Sequence, residues 1–286
     1  MDRQQRMGLL LASPSFIYSI IFFVVPTVLL FIYSFFRSKA FIPIPDFVFD
    51  NYIRALSSKG FWIVAWLSLK IGLITAVLSV AASFPVAMYI AYRSKGNLLL
   101  YLVLASWLTS YLVRIYGWRM ILGSNGLINS TLMQLGLIDQ PLEFILYNPV
   151  SVVIALVHIF MPFTLLLLLS ALRDVKSEYL EAARDLGAGP VAILLKVIVP
   201  MIHRGLVSAF MFTLILASGD YIAPQLLGGT NSMTVGLLIS NQFRATGNWP
   251  FGAAMAFIAF AIFALIYVVL IALLRAGRLA PHRRFH

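Results

Sequence analysis

One acidic side chain, Asp220, stands in a long apolar stretch that begins at Gly205, and it is the first residue here that suggests chemistry. An ionised carboxylate at the centre of a membrane helix costs on the order of 2.5–3.5 kcal/mol on insertion scales, so it faces a bundle interior or a water-filled path. In a path it attracts a cation. It can equally cap a helix break between Gly219 and Pro224, or pair with Arg114 or another subunit. Ala209, Thr213 and Ala217 recur on one helical face with Asp220 and predict a small, partly polar stripe bordering the path. Tyr221 adds an aromatic surface for a cation. A second group, Glu178, Glu181 and Asp185, gives a short helix an acidic side. The chain has no cysteine, which excludes disulfides, thiolate metal sites and cysteine nucleophiles. His158, His203, His282 and His286 lack zinc-ligand spacing. No glycine-rich loop closing on Lys-Ser/Thr is present to cradle a nucleotide phosphate.

The elements that must position these groups follow from composition. Of 286 residues, 61% are hydrophobic and 11% charged, too little charge to coat a soluble domain, where roughly 25% is usual. Lipid is therefore the solvent. A hydrocarbon layer of about 30 Å needs about 20 apolar residues of helix, and six stretches qualify. The spans are expected at residues 9–36, 68–92, 97–119, 149–172, 202–224 and 251–275, in a single transmembrane domain covering 1–286. The first apolar run is too long for a signal peptide and reads as a retained helix. Pro14, Pro26, Pro85 and Pro162 fall inside spans as packing kinks. With six spans both termini share a side. That side collects thirteen Lys and Arg against five on the other, so both termini are expected in the cytoplasm. The net charge of +11 is a topology signal, since its basic residues flank spans instead of forming a nucleic-acid stripe.

The segment 173–200 is long for a cytoplasmic turn and reads as two helices. Ser177 is placed to cap the first. Tyr179, Ala182, Ala183 and Leu186 recur as one apolar face. Gly187 suits the C-terminal cap and Pro190 the first turn of a second helix, expected to stop near Pro200.

Within it, Glu181-Ala182-Ala183, Gly187 and the closing Val197-Ile198-Val199-Pro200 resemble the EAA motif of bacterial ABC importer permeases. Val197 and Val199 depart from the family's isoleucine, any residue, leucine, proline ending. A second resemblance lies in Leu112-Val113-Arg114-Ile115-Tyr116-Gly117-Trp118, Gly219-Asp220-Tyr221-Ile222-Ala223-Pro224 and Leu226-Leu227-Gly228-Gly229. These are similar to permeases of spermidine/putrescine importers, over residues 51–274.

The resemblance implies an all-α polytopic membrane protein of six helices, with the type I importer permease fold, in the bacterial inner membrane. It implies a non-catalytic subunit forming half of a path for a small cationic solute, a polyamine or a related amine. Glu181, Ala182, Ala183, Gly187 and Pro200 would couple it to a cytoplasmic ABC ATPase dimer, which binds the ATP and Mg; this chain holds no cofactor or metal. A second permease, a different chain, would complete the path, bordered by Asp220, Tyr221 and Thr213. An external solute-binding protein would dock on residues 123–148 and 226–250. The competing class is a self-contained secondary transporter, which would carry several intramembrane charges and an internal repeat.

Overall fold

Backbone in hydrocarbon must satisfy its own hydrogen bonds, and this chain does so almost wholly with helices. The computed structural model describes residues 7, 13–39 and 41–276. Helix α1 (Ser13–Tyr33) leads into a two-stranded antiparallel ribbon, β1 (Arg37–Lys39) and β2 (Ile42–Ile44), then short α2 (Asp50–Ser57) and long α3 (Lys59–Tyr92). Next come α4 (Leu98–Leu108), α5 (Tyr111–Leu122), α6 (Leu127–Gln134) and α7 (Pro149–Arg173). Then α8 (Ser177–Asp185), α9 (Pro190–Gly219), α10 (Ile222–Leu227), α11 (Val235–Arg244) and α12 (Trp249–Ala276) follow. Among the described residues two compact units result: those of 13–62 with Ile239–Ile262, and Ile63–Leu238 with 263–276.

Among the described residues five helices are long and apolar enough to cross a membrane, six if the bent pair Leu98–Leu108 with Tyr111–Gln134 is counted as one span. Helices Pro149–Arg173 and Trp249–Ala272 overlie the apolar stretches 149–172 and 251–275. The stretch 97–119 does not form one helix: α4 and the helical run from Tyr111 meet at 90°. Thr109 and Ser110 carry the break, with ψ of 139° and 138°. Such hydroxyl residues compete with helical backbone bonding, and no proline announces the turn. The helix of the second span starts at Lys59, earlier than residue 68, because the charge-free criterion stops at Lys70, about three turns into the helix, whose ammonium lies over the Trp66 ring at 5.3 Å from its centroid. For the first span, residues 9–12 lie outside the described set and the helix ends at Tyr33.

Pro200 does not end a helix. The expected second loop helix runs unbroken into the fifth span, which covers Pro190–Gly219 instead of 202–224. A π-helical turn, Leu194–Ile198, lies just before Pro200, and another, Ile20–Val24, just before Pro26. A proline ring has no N–H and clashes with the carbonyl four residues back. Widening the preceding turn relieves both, so the chain continues. The basic tail from residue 275, expected to be a topology anchor, has its side chains outside the described residues.

In the larger unit α7 is the most buried element. One end of its core holds Ile115, Leu156, Ile159 and Leu227; the other holds Leu165, Leu172, Leu180 and Ile202. The stripe Ala209, Thr213, Ala217 on α9 is fully buried, so it does not border a water-filled path here. It is a packing seam against α7. The Thr213 hydroxyl lies 2.8 Å from that of Thr164 and also donates to Ala209 O at 2.9 Å. Small residues with an occasional hydroxyl are what close helix approach in lipid selects. Gly72 on α3 packs more tightly: a Cβ there would strike Ser218 Oγ and lie 2.9 Å from Leu214 O. Overpacking of this kind costs typically ~1–3 kcal/mol. Gly72→Ala is therefore expected to lower the midpoint of thermal unfolding in detergent by several degrees. An unchanged midpoint would show that α3 and α9 separate freely at that point.

Candidate coupling loop and translocation site

Helix α8 starts at Ser177, but Lys176 occupies the cap position and no side chain caps the end. The expected Ser177 cap is absent, because Ser177 already lies inside the first turn. The C-terminus behaves as the sequence implies. Gly187 has φ +80°, Ala188 N–H bonds Ala183 O at 3.0 Å, and Gly187 N–H bonds Arg184 O at 2.8 Å. These two bonds make a Schellman turn, which favours glycine because only glycine adopts φ > 0 freely. A Cβ on Gly187 would meet nothing within 4 Å, so the demand is conformational and not spatial.

The apolar face of α8 is not the one read from the sequence. Leu180 is buried and Ala183 half-buried, while Tyr179, Ala182 and Leu186 are exposed, Leu186 to 88%. A helix this short needs only one or two anchoring side chains. Its remaining apolar residues share the outer surface with exposed Glu178, Glu181 and Asp185. Pro200 is exposed inside α9, well along the helix from the α8 tip.

Asp220 stands at the break between α9 and α10, with φ −67° and ψ 137°. Its Oδ1 accepts the Ala223 N–H at 2.8 Å, so the side chain satisfies an orphan amide of α10. Its Oδ2 accepts the hydroxyl of Tyr111, the first residue of α5 after the other break. The Asp220 carbonyl receives Thr234 Oγ1 at 2.9 Å, and one residue on, Val235 N–H donates to Ser68 Oγ at 2.6 Å. Two interrupted helices are thus tied together through one carboxylate. Arg114 does not pair with it: its Nη1 donates to Ile159 O at 3.3 Å, and its Nε has no hydrogen-bond partner among the described residues. Tyr111, Asp220 and Tyr221 are each partly exposed; Thr213 is buried in the α7 seam.

Tyr111 was missed from the sequence, where it is one of twelve tyrosines. Its only signal is that it follows Thr109-Ser110, and that pair marks a break only weakly. A further pair joins α5 to α7: Trp118 Nε1–H donates to His158 Nδ1 at 3.1 Å. That bond requires the imidazole tautomer with its proton on Nε2. The loop between α5 and α7 is also built rather than loose. Buried Asn129 donates to Gly123 O at 2.9 Å and accepts Leu142 N–H at 2.8 Å. Asn148 and Ser151 form a capping box at the start of α7.

Broken helices whose polar ends meet inside an apolar bundle belong to membrane transport, and the comparisons with known proteins give the kind. Residues 6–279 match the family described as binding-protein-dependent transport system inner membrane component. The chain belongs to that family. It is 34% identical over 210 residues to the spermidine/putrescine transport system permease protein PotB of Escherichia coli (strain K12), covering 73% of this chain and 76% of that protein. To the trehalose/maltose transport system permease protein MalF of Thermococcus litoralis it is 27% identical over 279 residues, covering 93% and 94%. Among solved structures, a chain of a bacterial ABC transporter importing the acidic polysaccharide alginate superposes with a TM-score of 0.74 at 16% identity, covering 95% and 96%. A chain of the MetNI methionine ABC transporter gives 0.57 at 18% identity, covering 77% and 98%. The fold is that of an ABC importer permease, and the chain is the non-catalytic membrane subunit of such an importer, in the inner membrane. A self-contained secondary transporter is thereby excluded.

Proposed function

We propose that this permease forms half of the path for a small organic cation, a polyamine such as spermidine or putrescine. The observation that carries the solute class is the 34% identity to PotB over 210 residues. Asp220 supports it, as a partly exposed carboxylate held at a helix break. Asp220 and Tyr221 border the path in this reading, and Thr213 stands behind them in the seam.

The tip of α8 is the coupling element. Glu181 makes a polar contact with a cytoplasmic ABC ATPase dimer, which binds the ATP and Mg. Ala182 and Ala183 permit close approach, Gly187 sets the turn, and Pro200 lies where the loop helix passes into the span. A second permease, a different chain, completes the path. An external solute-binding protein docks on residues 123–148 and 226–250, and both termini are cytoplasmic.

The test uses the complete importer reconstituted in vesicles with its binding protein, and measures ATP-dependent uptake of labelled spermidine and putrescine. Saturable uptake is expected, and uptake of a sugar alone would overturn the solute class. In the same system Glu181→Lys is expected to leave membrane insertion intact, weaken ATPase co-purification and lower uptake at least tenfold. Normal uptake by that variant removes Glu181 from coupling.

A further inference from the structure

The segment between α1 and α3 holds apolar surface outward on a rigid polar frame. Arg37 pairs with Asp46 at 3.3 Å and with Asp50 at 3.0 Å. Asn51 Nδ2 donates to the carbonyls of Ser34 (2.9 Å) and Phe36 (2.8 Å), and the hydroxyls of Ser34 and Tyr52 meet at 2.7 Å. Val48 N–H closes onto Phe35 O at 2.7 Å. This frame fixes two phenylalanines in the left-handed region, Phe41 at φ 67° and Phe47 at φ 44°. For an L-residue that conformation costs roughly 1–2 kcal/mol, and strain of this kind persists where function holds it. Both rings are nevertheless exposed, Phe41 to 74%.

Helix α2 continues the same surface. Phe49, Ile53 and Leu56 recur at i, i+4 and i+7 and are all exposed, Ile53 to 61%. Asn51, Tyr52 and Ala55 form the inward face, while Asp50 and Arg54 take the remaining side. A short helix that turns its apolar stripe outward and its polar and small residues inward is inverted relative to a water-facing one.

Depth along α1 says what covers the stripe. Its 21 residues rise about 31 Å at ~1.5 Å each, enough to fill a hydrocarbon layer of about 30 Å. No side chain of Ser13–Tyr33 is buried, whereas the next residue, Ser34, is. The ribbon and α2 therefore begin where the chain leaves the hydrocarbon, at headgroup depth, where aromatic side chains and amphipathic helices reside. Exposed Lys39 at the ribbon suits lipid phosphate. We infer that β1, β2 and α2 form an interfacial anchor: Phe41, Phe47, Phe49, Ile53 and Leu56 enter the headgroup and upper acyl region of the leaflet at the C-terminal end of α1.

This chain has no native cysteine, so one introduced residue carries one nitroxide. Ile53→Cys, Leu56→Cys, Phe41→Cys and, on the charged side, Arg54→Cys are labelled in the complete importer in lipid nanodiscs, with partner subunits free of reactive cysteine. Collisions with oxygen and with a water-soluble nickel chelate are then compared, and uptake verifies the fold of each variant. Labels at Ile53, Leu56 and Phe41 are expected to favour oxygen severalfold over the label at Arg54. Two results overturn the anchor. Equal nickel access at Ile53, Leu56 and Arg54 would put the stripe in water, and shielding of the Ile53 and Leu56 labels from both reagents would mean that a protein partner covers it.

Discussion

Asp220→Asn is expected to lower uptake of the cationic solute at least a hundredfold while the permease still inserts, assembles and receives the loaded binding protein. Asp220→Ala is expected to lose assembly as well. The two substitutions separate the roles that the geometry combines. Asparagine keeps an oxygen for the Ala223 N–H, which Asp220 Oδ1 now accepts at 2.8 Å, so the cap on α10 survives. What it loses is the negative charge and the second acceptor for the Tyr111 hydroxyl. An ammonium group drawn to a carboxylate in a low-dielectric site loses most of that attraction when the charge goes. Alanine removes the cap, worth about 1 kcal/mol, and leaves two donors without partners, at roughly 1–3 kcal/mol for each buried one. The measurements are transport in vesicles and recovery of the assembled complex from detergent. Unchanged uptake by Asp220→Asn would take Asp220 out of the path. Failed assembly of Asp220→Asn would make it a purely structural clamp between the two broken helices.

The sequence could say that Asp220 is important but not which of its partners would be real. Arg114 was one of the partners left open, yet Arg114 turns to a backbone carbonyl on α7. Tyr111 takes the carboxylate because the bend at Thr109-Ser110 swings the start of α5 towards α10. That bend is a tertiary outcome with little local signal, since every residue from Leu98 to Leu108 is a tolerable helix former. The α7 stretch stood out in the sequence because it carries no charge up to Arg173, whereas its start is set by the Asn148–Ser151 capping box and Pro149. Pro200 misled in the opposite direction. A proline reads as a stop unless the turn before it widens, and whether it widens is decided by packing. Thr213 failed for a related reason. A helical stripe of alanine and threonine is compatible with a path wall or a packing seam, and only the burial against Thr164 separates the two. Gly187 was the most legible residue of all, because a φ of +80° at a helix end is a local demand that glycine meets at little steric cost.

Leu186→Asp is expected to abolish ATPase association and uptake without changing the stability of the permease itself. Leu186 is the most exposed large hydrophobic residue among the described ones, at 88%, and it stands at the C-terminal cap of α8, one residue before the Gly187 turn. Within this chain it packs against almost nothing, so the substitution removes little internal contact and the thermal midpoint in detergent is expected to stay within a degree or two. In the proposed complex the same side chain enters the ATPase. Burying a leucine contributes about 1.5–3 kcal/mol, and an aspartate left there without a partner reverses the sign. The combined change is about 3 kcal/mol or more, which is more than a hundredfold in affinity. Leu186→Met, which keeps an apolar side chain of similar volume, is expected to retain both ATPase binding and transport. Co-purification of the ATPase with each variant reads this directly. Recovery of ATPase with Leu186→Asp at the level of the unmodified permease would show that the exposed tip of α8 is not the docking surface, and that coupling must enter through another segment.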